Sequence, residues 1–246
     1  MQLLKKIFGF IWALWGGFWF MLVALVFTPI YALVFAIWGK KYTLHCVWIN
    51  CHYLSPFLLA MNLIRVRVHH RELIDKSRTY VFVGNHLTAI DILATATAMP
   101  IPMRFLAKIE TRNIPVFGYM VKMLGIRVDR KSKESREKSY QLMADALQRG
   151  ESLYIYPEGT RNRTTEPLKE FKDGAFKVAI MAQVPVAVQT LVGVKNVNNP
   201  EGFQLYPGVA DVYWSRPIET AGMTMNDLPR LKELVRQQML QHLPHA

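Results

Sequence analysis

Between Ile7 and Gly39 the sequence carries no charged residue, and the whole chain holds only two cysteines. Those thiols, Cys46 and Cys51, lie in an apolar stretch with no second pair to complete a metal site, so they read as reduced, packed side chains of the kind a cytoplasm-facing protein carries. Acidic residues are also scarce. Eighteen Asp and Glu against thirty Lys and Arg give a formal charge of +12, which favours an anionic partner: nucleic acid, anionic lipid or a phosphorylated substrate. Charged residues make up 20% and hydrophobic residues 51%, a balance that excludes disorder. No internal repeat and no low-complexity linker divides the 246 residues, which suit one catalytic domain with a modest appendage.

The uncharged run is rich in Phe, Trp, Leu and Val and reads as a membrane segment. As one straight helix it would be about 50 Å long, well beyond a hydrocarbon core of about 30 Å. A break is therefore expected, at Thr28-Pro29 or at the softer Gly16-Gly17. Lys5 and Lys6 precede the run and Lys40 and Lys41 follow it. Two arrangements stay open: a re-entrant hairpin with both basic flanks on the cytoplasmic side, or a single span with an interfacial continuation. The run is far longer than a signal-peptide core, so it is expected to be retained. Residues 46–64 mix aromatic with polar side chains and read either as an interfacial helix or as an ordinary packed one. Residues 1–64 are thus expected to form a membrane-associated helical segment and residues 65–246 the catalytic domain.

After Arg65, short β-rich runs alternate with helical stretches. Tyr80 to Val83, Ser152 to Tyr156 and Val186 to Val188 read as strands. Stretches around Ile90 to Ala98, Lys133 to Gln148, Gly174 to Ala182 and Asp227 to Leu243 read as helices, with Gly150 a stop after the second. The pattern predicts an α/β domain, a central mixed sheet flanked by helices, whose strand order the sequence leaves open.

Three stretches bear chemistry. Asn85-His86-Leu87-Thr88-Ala89-Ile90-Asp91 follows a strand end. On an unbroken helix His86 and Asp91 would lie about 140° apart, so an intervening turn is required if they are to meet. With that turn, Asp91 accepts from one imidazole nitrogen and leaves the other to take a proton from a substrate hydroxyl. The alternative is a loop histidine followed by a helix whose Asp91 complements the dipole. Tyr156-Pro157-Glu158-Gly159-Thr160-Arg161-Asn162-Arg163 also ends an apolar strand: Arg161 can bind phosphate bidentately, Gly159 lets backbone approach an anion, and Glu158 can hold an arginine. An ordinary polar turn fits the same residues. In Leu124-Gly125-Ile126-Arg127-Val128-Asp129-Arg130 an apolar segment runs into a basic end where Arg130 offers a second phosphate contact. Lys131 to Lys138 reads as the solvated face of a helix.

In order, Asn-His-x4-Asp, Gly…Asp-Arg, Pro-Glu-Gly-Thr-Arg and Val184-Pro185-Val186 resemble the four motifs of the glycerolipid acyltransferase superfamily, and among its branches the bacterial 1-acyl-sn-glycerol-3-phosphate acyltransferases. The resemblance runs from about Val81 to Thr190 and includes Arg104 to Lys108, Glu110, Pro115 and Gly118 between the first two motifs. It implies His86 as general base and Asp91 as its orienting carboxylate. It implies Arg130, Glu158, Gly159, Thr160 and Arg161 as acceptor-binding residues, with Lys108 a further phosphate contact. The sequence departs from the family pattern at Val188, where a second proline is common, and at Arg127, where an apolar or aromatic residue is usual.

The resemblance implies transfer of a fatty acyl group from acyl-CoA or acyl carrier protein to the free sn-2 hydroxyl of 1-acyl-sn-glycerol-3-phosphate, giving phosphatidic acid, in the inner, cytoplasmic membrane. Neither a metal nor a redox cofactor is called for. Because the first motif contains no serine or cysteine, direct transfer is favoured over a covalent acyl-enzyme. Two rivals remain: the same chemistry on another acceptor, such as a lyso-aminolipid, and a membrane-tethered protein that only binds an anionic ligand. Nucleic acid is not expected, since basic residues and aromatics form no recognisable nucleic-acid module.

Overall fold

A computed structural model describes residues 2–108, 118, 124–128, 132–199 and 201–243. Among the described residues seven strands form one sheet: β1 (Ile64–His69), β2 (Val81–Gly84), β3 (Met103–Lys108), β4 (Ile126–Val128), β5 (Ser152–Ile155), β6 (Val186–Val192) and β7 (Gly208–Trp214), in the order β1-β7-β6-β2-β5-β3-β4. Every neighbouring pair is parallel except β6 with β7. Parallel strands buried on both faces read as near-continuous rather than alternating apolar runs, and β2, Leu153 to Ile155 of β5 and Val186 to Val188 of β6 supply them. Val81 and Val83 of β2 pack with Leu153, Ile155, Val186 and Val188 under helices Lys133–Gln148, Gly174–Ala182 and Leu228–Leu240. On the opposite face Tyr80, Phe82, Tyr154 and Trp214 pack against Ala96 and Met99. Phe82 and Trp214 are fully buried, a contribution of about 1.5–3 kcal/mol for a side chain of this class.

The predicted helices at 133–148 and 174–182 form over those spans. Ser132 Oγ caps the first by accepting from the Ser135 N–H at 3.0 Å, and Gly150, with φ of +81°, lies just beyond its end.

The N-terminal segment differs from expectation. Helix α1 runs unbroken from Gln2 to Trp38, through Pro29. The ring removes one backbone donor, but Phe27 and Tyr31 pack on the following arm to either side of it, and the Tyr31 hydroxyl accepts from Asn50 Nδ2 at 2.8 Å. The chain reverses instead at Gly39–Tyr42, where Gly39 takes a φ of +62° that glycine adopts without strain. Helix α2 (Thr43–Ile49), a π-helical turn (Asn50–Leu54) and helix α3 (Ser55–Met61) then form the second arm. The uncharged run itself therefore does not fold back as a re-entrant hairpin, and Lys5 and Lys6 lie about 50 Å from Lys40 and Lys41, near opposite ends of α1.

The first arm also grips the sheet domain. An added Cβ at Gly9 would come within 2.5 Å of the Tyr206 ring, and one at Gly16 within 2.6 Å of Asn62 Oδ1. The Trp12 and Trp15 indoles donate to the Asn62 and Met61 carbonyls at 3.1 and 2.8 Å. The outer face of α1 leaves Leu3, Leu4, Ile11, Phe18, Leu25 and Leu33 more than half exposed. By length and composition this helix is sufficient to cross a membrane. Both cysteines are free and buried.

Helix α4 (Asp91–Ala98) follows β2 after a short loop. Gly84, at the end of β2, has no room for a side chain: a Cβ would lie 1.9 Å from the Tyr154 hydroxyl and 3.2 Å from the Gln189 carbonyl oxygen. Gly84→Ala should therefore destabilise the fold by about 1–3 kcal/mol, read as a lowered unfolding midpoint. Tyr154→Phe in the same chain should recover part of the loss by removing the clashing oxygen.

Candidate active site

Strands β2 and β5 are parallel neighbours, so the segments leaving their carboxyl ends emerge side by side. Ligands in open α/β sheets bind at such ends. The first segment carries His86 and the second carries Glu158 to Arg161.

For His86 and Asp91 to meet, a turn must separate them, and residues 85–90 supply it. Asp91 is the first residue of α4 and is fully buried; its Oδ2 lies 2.8 Å from His86 Nδ1. The same carboxylate accepts the N–H of Thr88 at 2.8 Å, the N–H of Leu87 at 2.5 Å and the Thr88 hydroxyl at 2.9 Å. A carboxylate surrounded by donors acts as the acceptor, so in the neutral imidazole Nδ1 is the donor and Nε2 the atom with the free lone pair. The ring stacks on Tyr156, with centroids 4.2 Å apart and planes 16° from parallel. Burial pushes the Tyr156 phenol well above its ordinary pKa, so a neutral ring supports the imidazole. Its hydroxyl lies 3.2 Å from Thr95 Oγ1.

Glu158, expected to contact the acceptor or to hold an arginine, has backbone partners in the structure. It is buried, and its two oxygens accept backbone N–H groups: Oε1 that of His86 at 2.8 Å, Oε2 that of Lys169 at 3.0 Å. One side chain thus braces the histidine loop against the 168–171 segment. Burial raises its pKa, and the two backbone donors oppose that rise. A second tie joins the same loops, because the Asn162 N–H donates to the His86 carbonyl at 2.6 Å. Asn85 anchors the histidine from the other side through reciprocal bonds to the Leu191 backbone at 2.9 and 2.7 Å.

His86 opens into a cleft of about 510 Å³ lined also by Gly159, Thr160, Arg161, Arg163, Thr164 and Lys169. Gly159 has a φ of +72°, which favours glycine, and Thr160 Oγ1 accepts from Lys169 Nζ at 2.9 Å. Arg161 is exposed at the cleft. Of the expected site residues, His86, Gly159, Thr160 and Arg161 therefore share the cleft, while Asp91 and Glu158 lie behind it. Lys108 ends β3, but its side chain lies outside the described residues, as does Arg130. Sequence reasoning passed over Lys169, Asn162 and the packing role of Tyr156. Only the placement of Tyr156 and Asn162 on either side of the Pro-Glu-Gly-Thr-Arg stretch offered a signal.

The arrangement defines a class: an α/β protein in which a half-buried histidine, paired with a buried aspartate, faces a cationic cleft. Residues 65–190 match the family model described as Acyltransferase, and the chain belongs to that family. It is 30% identical over 179 residues to the 1-acyl-sn-glycerol-3-phosphate acyltransferase alpha of Homo sapiens, covering 72% of this chain and 63% of that protein. It is 25% identical over 209 residues to the 1-acyl-sn-glycerol-3-phosphate acyltransferase of Saccharomyces cerevisiae, covering 83% and 68%. The chain thus spans about two thirds of the length of these relatives. In fold it is similar to the crystal structure of the 1-acyl-sn-glycerophosphate (LPA) acyltransferase PlsC from Thermotoga maritima, with a TM-score of 0.77 and 20% identity over 97% of this chain and 98% of that one.

Asp91→Asn should lower stability as well as turnover, because its amide would set a donor against one of the donors that the carboxylate now accepts. A loss of about 1–3 kcal/mol in unfolding free energy is expected. Denaturant titration of the variant beside the wild type measures it.

Proposed function

We propose that the protein transfers a fatty acyl group from acyl-CoA or acyl carrier protein to the free sn-2 hydroxyl of 1-acyl-sn-glycerol-3-phosphate, forming phosphatidic acid. The observation that carries this reading is the pairing of His86 with the buried Asp91, which leaves Nε2 in a cleft shared with Arg161. The names of the aligned relatives support the choice of acceptor.

In the proposed reaction Nε2 takes the proton of the sn-2 hydroxyl as its oxygen attacks the thioester carbonyl. Asp91 steadies the resulting imidazolium. When the tetrahedral intermediate collapses, the carbon–sulfur bond breaks and the imidazolium returns the proton to the departing thiolate. Arg161 holds the acceptor phosphate, with Arg130 and Lys108 proposed as further contacts; fixing this remote group fixes the hydroxyl relative to the base. The exposed apolar face of α1 would lie in the inner membrane, leaving the sheet domain on the cytoplasmic side where the donor is found.

His86→Ala should reduce acyl transfer by about 10²–10⁴ while the protein stays folded and membrane-bound. The assay is turnover of purified wild type and variant on lysophosphatidate beside lysophosphatidylethanolamine and lysophosphatidylcholine. Lysophosphatidate should be preferred by the wild type; wild-type turnover by the variant would contradict the mechanism, and preference for an aminolipid would contradict the acceptor.

A further inference from the structure

Lys169 stands outside the four sequence motifs, yet it lines the same cleft as His86. Its neighbours Leu168 and Phe171 are buried in the core, so the segment that carries it is fixed. Its N–H is held by Glu158 Oε2, while Glu158 Oε1 holds the N–H of His86. A single buried carboxylate therefore sets the spacing between the backbone of the base and the backbone of this lysine.

The ammonium has three donors, and Thr160 Oγ1 at 2.9 Å accepts one of them. Some cations elsewhere have acids beside them, as Lys138 has Glu134 at 2.7 Å and Lys232 has Asp173 at 2.9 Å. Among the described residues no carboxylate forms an ion pair with Lys169, Arg161 or Arg163. Three cations converging on one cleft without acids to neutralise them favour a doubly charged anion over a zwitterion or a neutral lipid. Arg161 approaches on the loop after β5 and Lys169 on a later segment, so the two can grip different oxygens of one group. The fork of the guanidinium suits one edge, and the ammonium acts as a point charge on another.

We propose that Lys169 binds the phosphate monoester of the lysolipid acceptor and, through its Glu158 brace, sets that phosphate in register with the His86 base. The inference rests on the acyl-transfer reading above and adds a selectivity residue to it.

The test compares full-length wild type with Lys169→Met, Lys169→Gln and Lys169→Arg in detergent micelles. Equilibrium binding of lysophosphatidate and of 1-acylglycerol is measured beside turnover. The Met and Gln variants should weaken lysophosphatidate binding about ten- to hundredfold, the range for losing a hydrogen bond to a charged group. KM for lysophosphatidate should rise with little change in kcat, and Lys169→Arg should restore most of the loss. Binding of the phosphate-free 1-acylglycerol, KM for the acyl donor and the thermal midpoint should not move. Unchanged lysophosphatidate affinity in both neutral variants would overturn the proposal, and so would a rise confined to donor KM. Wild-type protein inactive on every lysolipid would count against acyl transfer itself, while the binding comparison would still decide the role of Lys169.

Discussion

The site depends on one buried carboxylate accepting from the imidazole and from the backbone of the loop between them. Asp91 accepts from His86 Nδ1, from two successive backbone N–H groups and from the Thr88 hydroxyl. A charge removed from water is tolerated only when paired and hydrogen-bonded, and here the same bonds fold the 85–90 loop. The loop in turn directs the imidazole toward the cleft, so the feature that stabilises the carboxylate also leaves Nε2 available as a base.

Glu158 extends the construction from one loop to two. Its oxygens join the His86 backbone to the Lys169 backbone, and Asn162 adds a direct bond to the His86 carbonyl. With the parallel pairing of β2 and β5 beneath, the groups that would move a proton and hold an anion sit on one rigid frame. Tyr156 closes the frame from below by stacking on the imidazole. Preorganisation of this kind keeps a base and a bound phosphate in register.

Much of this was legible in the residues, for identifiable reasons. The buried parallel strands declare themselves as apolar runs, and the helices at 133–148 and 174–182 have clear boundaries in the sequence. The five-residue spacing of His86 and Asp91 already required a turn if the two were to meet. The helix through Pro29 was not legible, because the local cost of a proline is visible in sequence while the packing of Phe27 and Tyr31 on residues over ten positions away is not. Glu158 shows the same limit at the site. Beside an arginine its charge suggests an ionic role, but its partners are backbone groups brought to it by the adjacency of β2 and β5. Lys169 gave no signal at all, since only the fold carries it to the cleft.

The central claim is that Asp91 holds His86 as the tautomer protonated on Nδ1, with Nε2 free. Nitrogen-15 NMR of histidine-labelled protein in detergent micelles tests it directly, with the His86 signals assigned by their loss in a His86 variant. In the neutral imidazole a protonated Nδ1 and an unprotonated Nε2 are expected, and Asp91→Asn should disturb that pattern. A proton found on Nε2 of neutral His86 in the wild type would contradict the account.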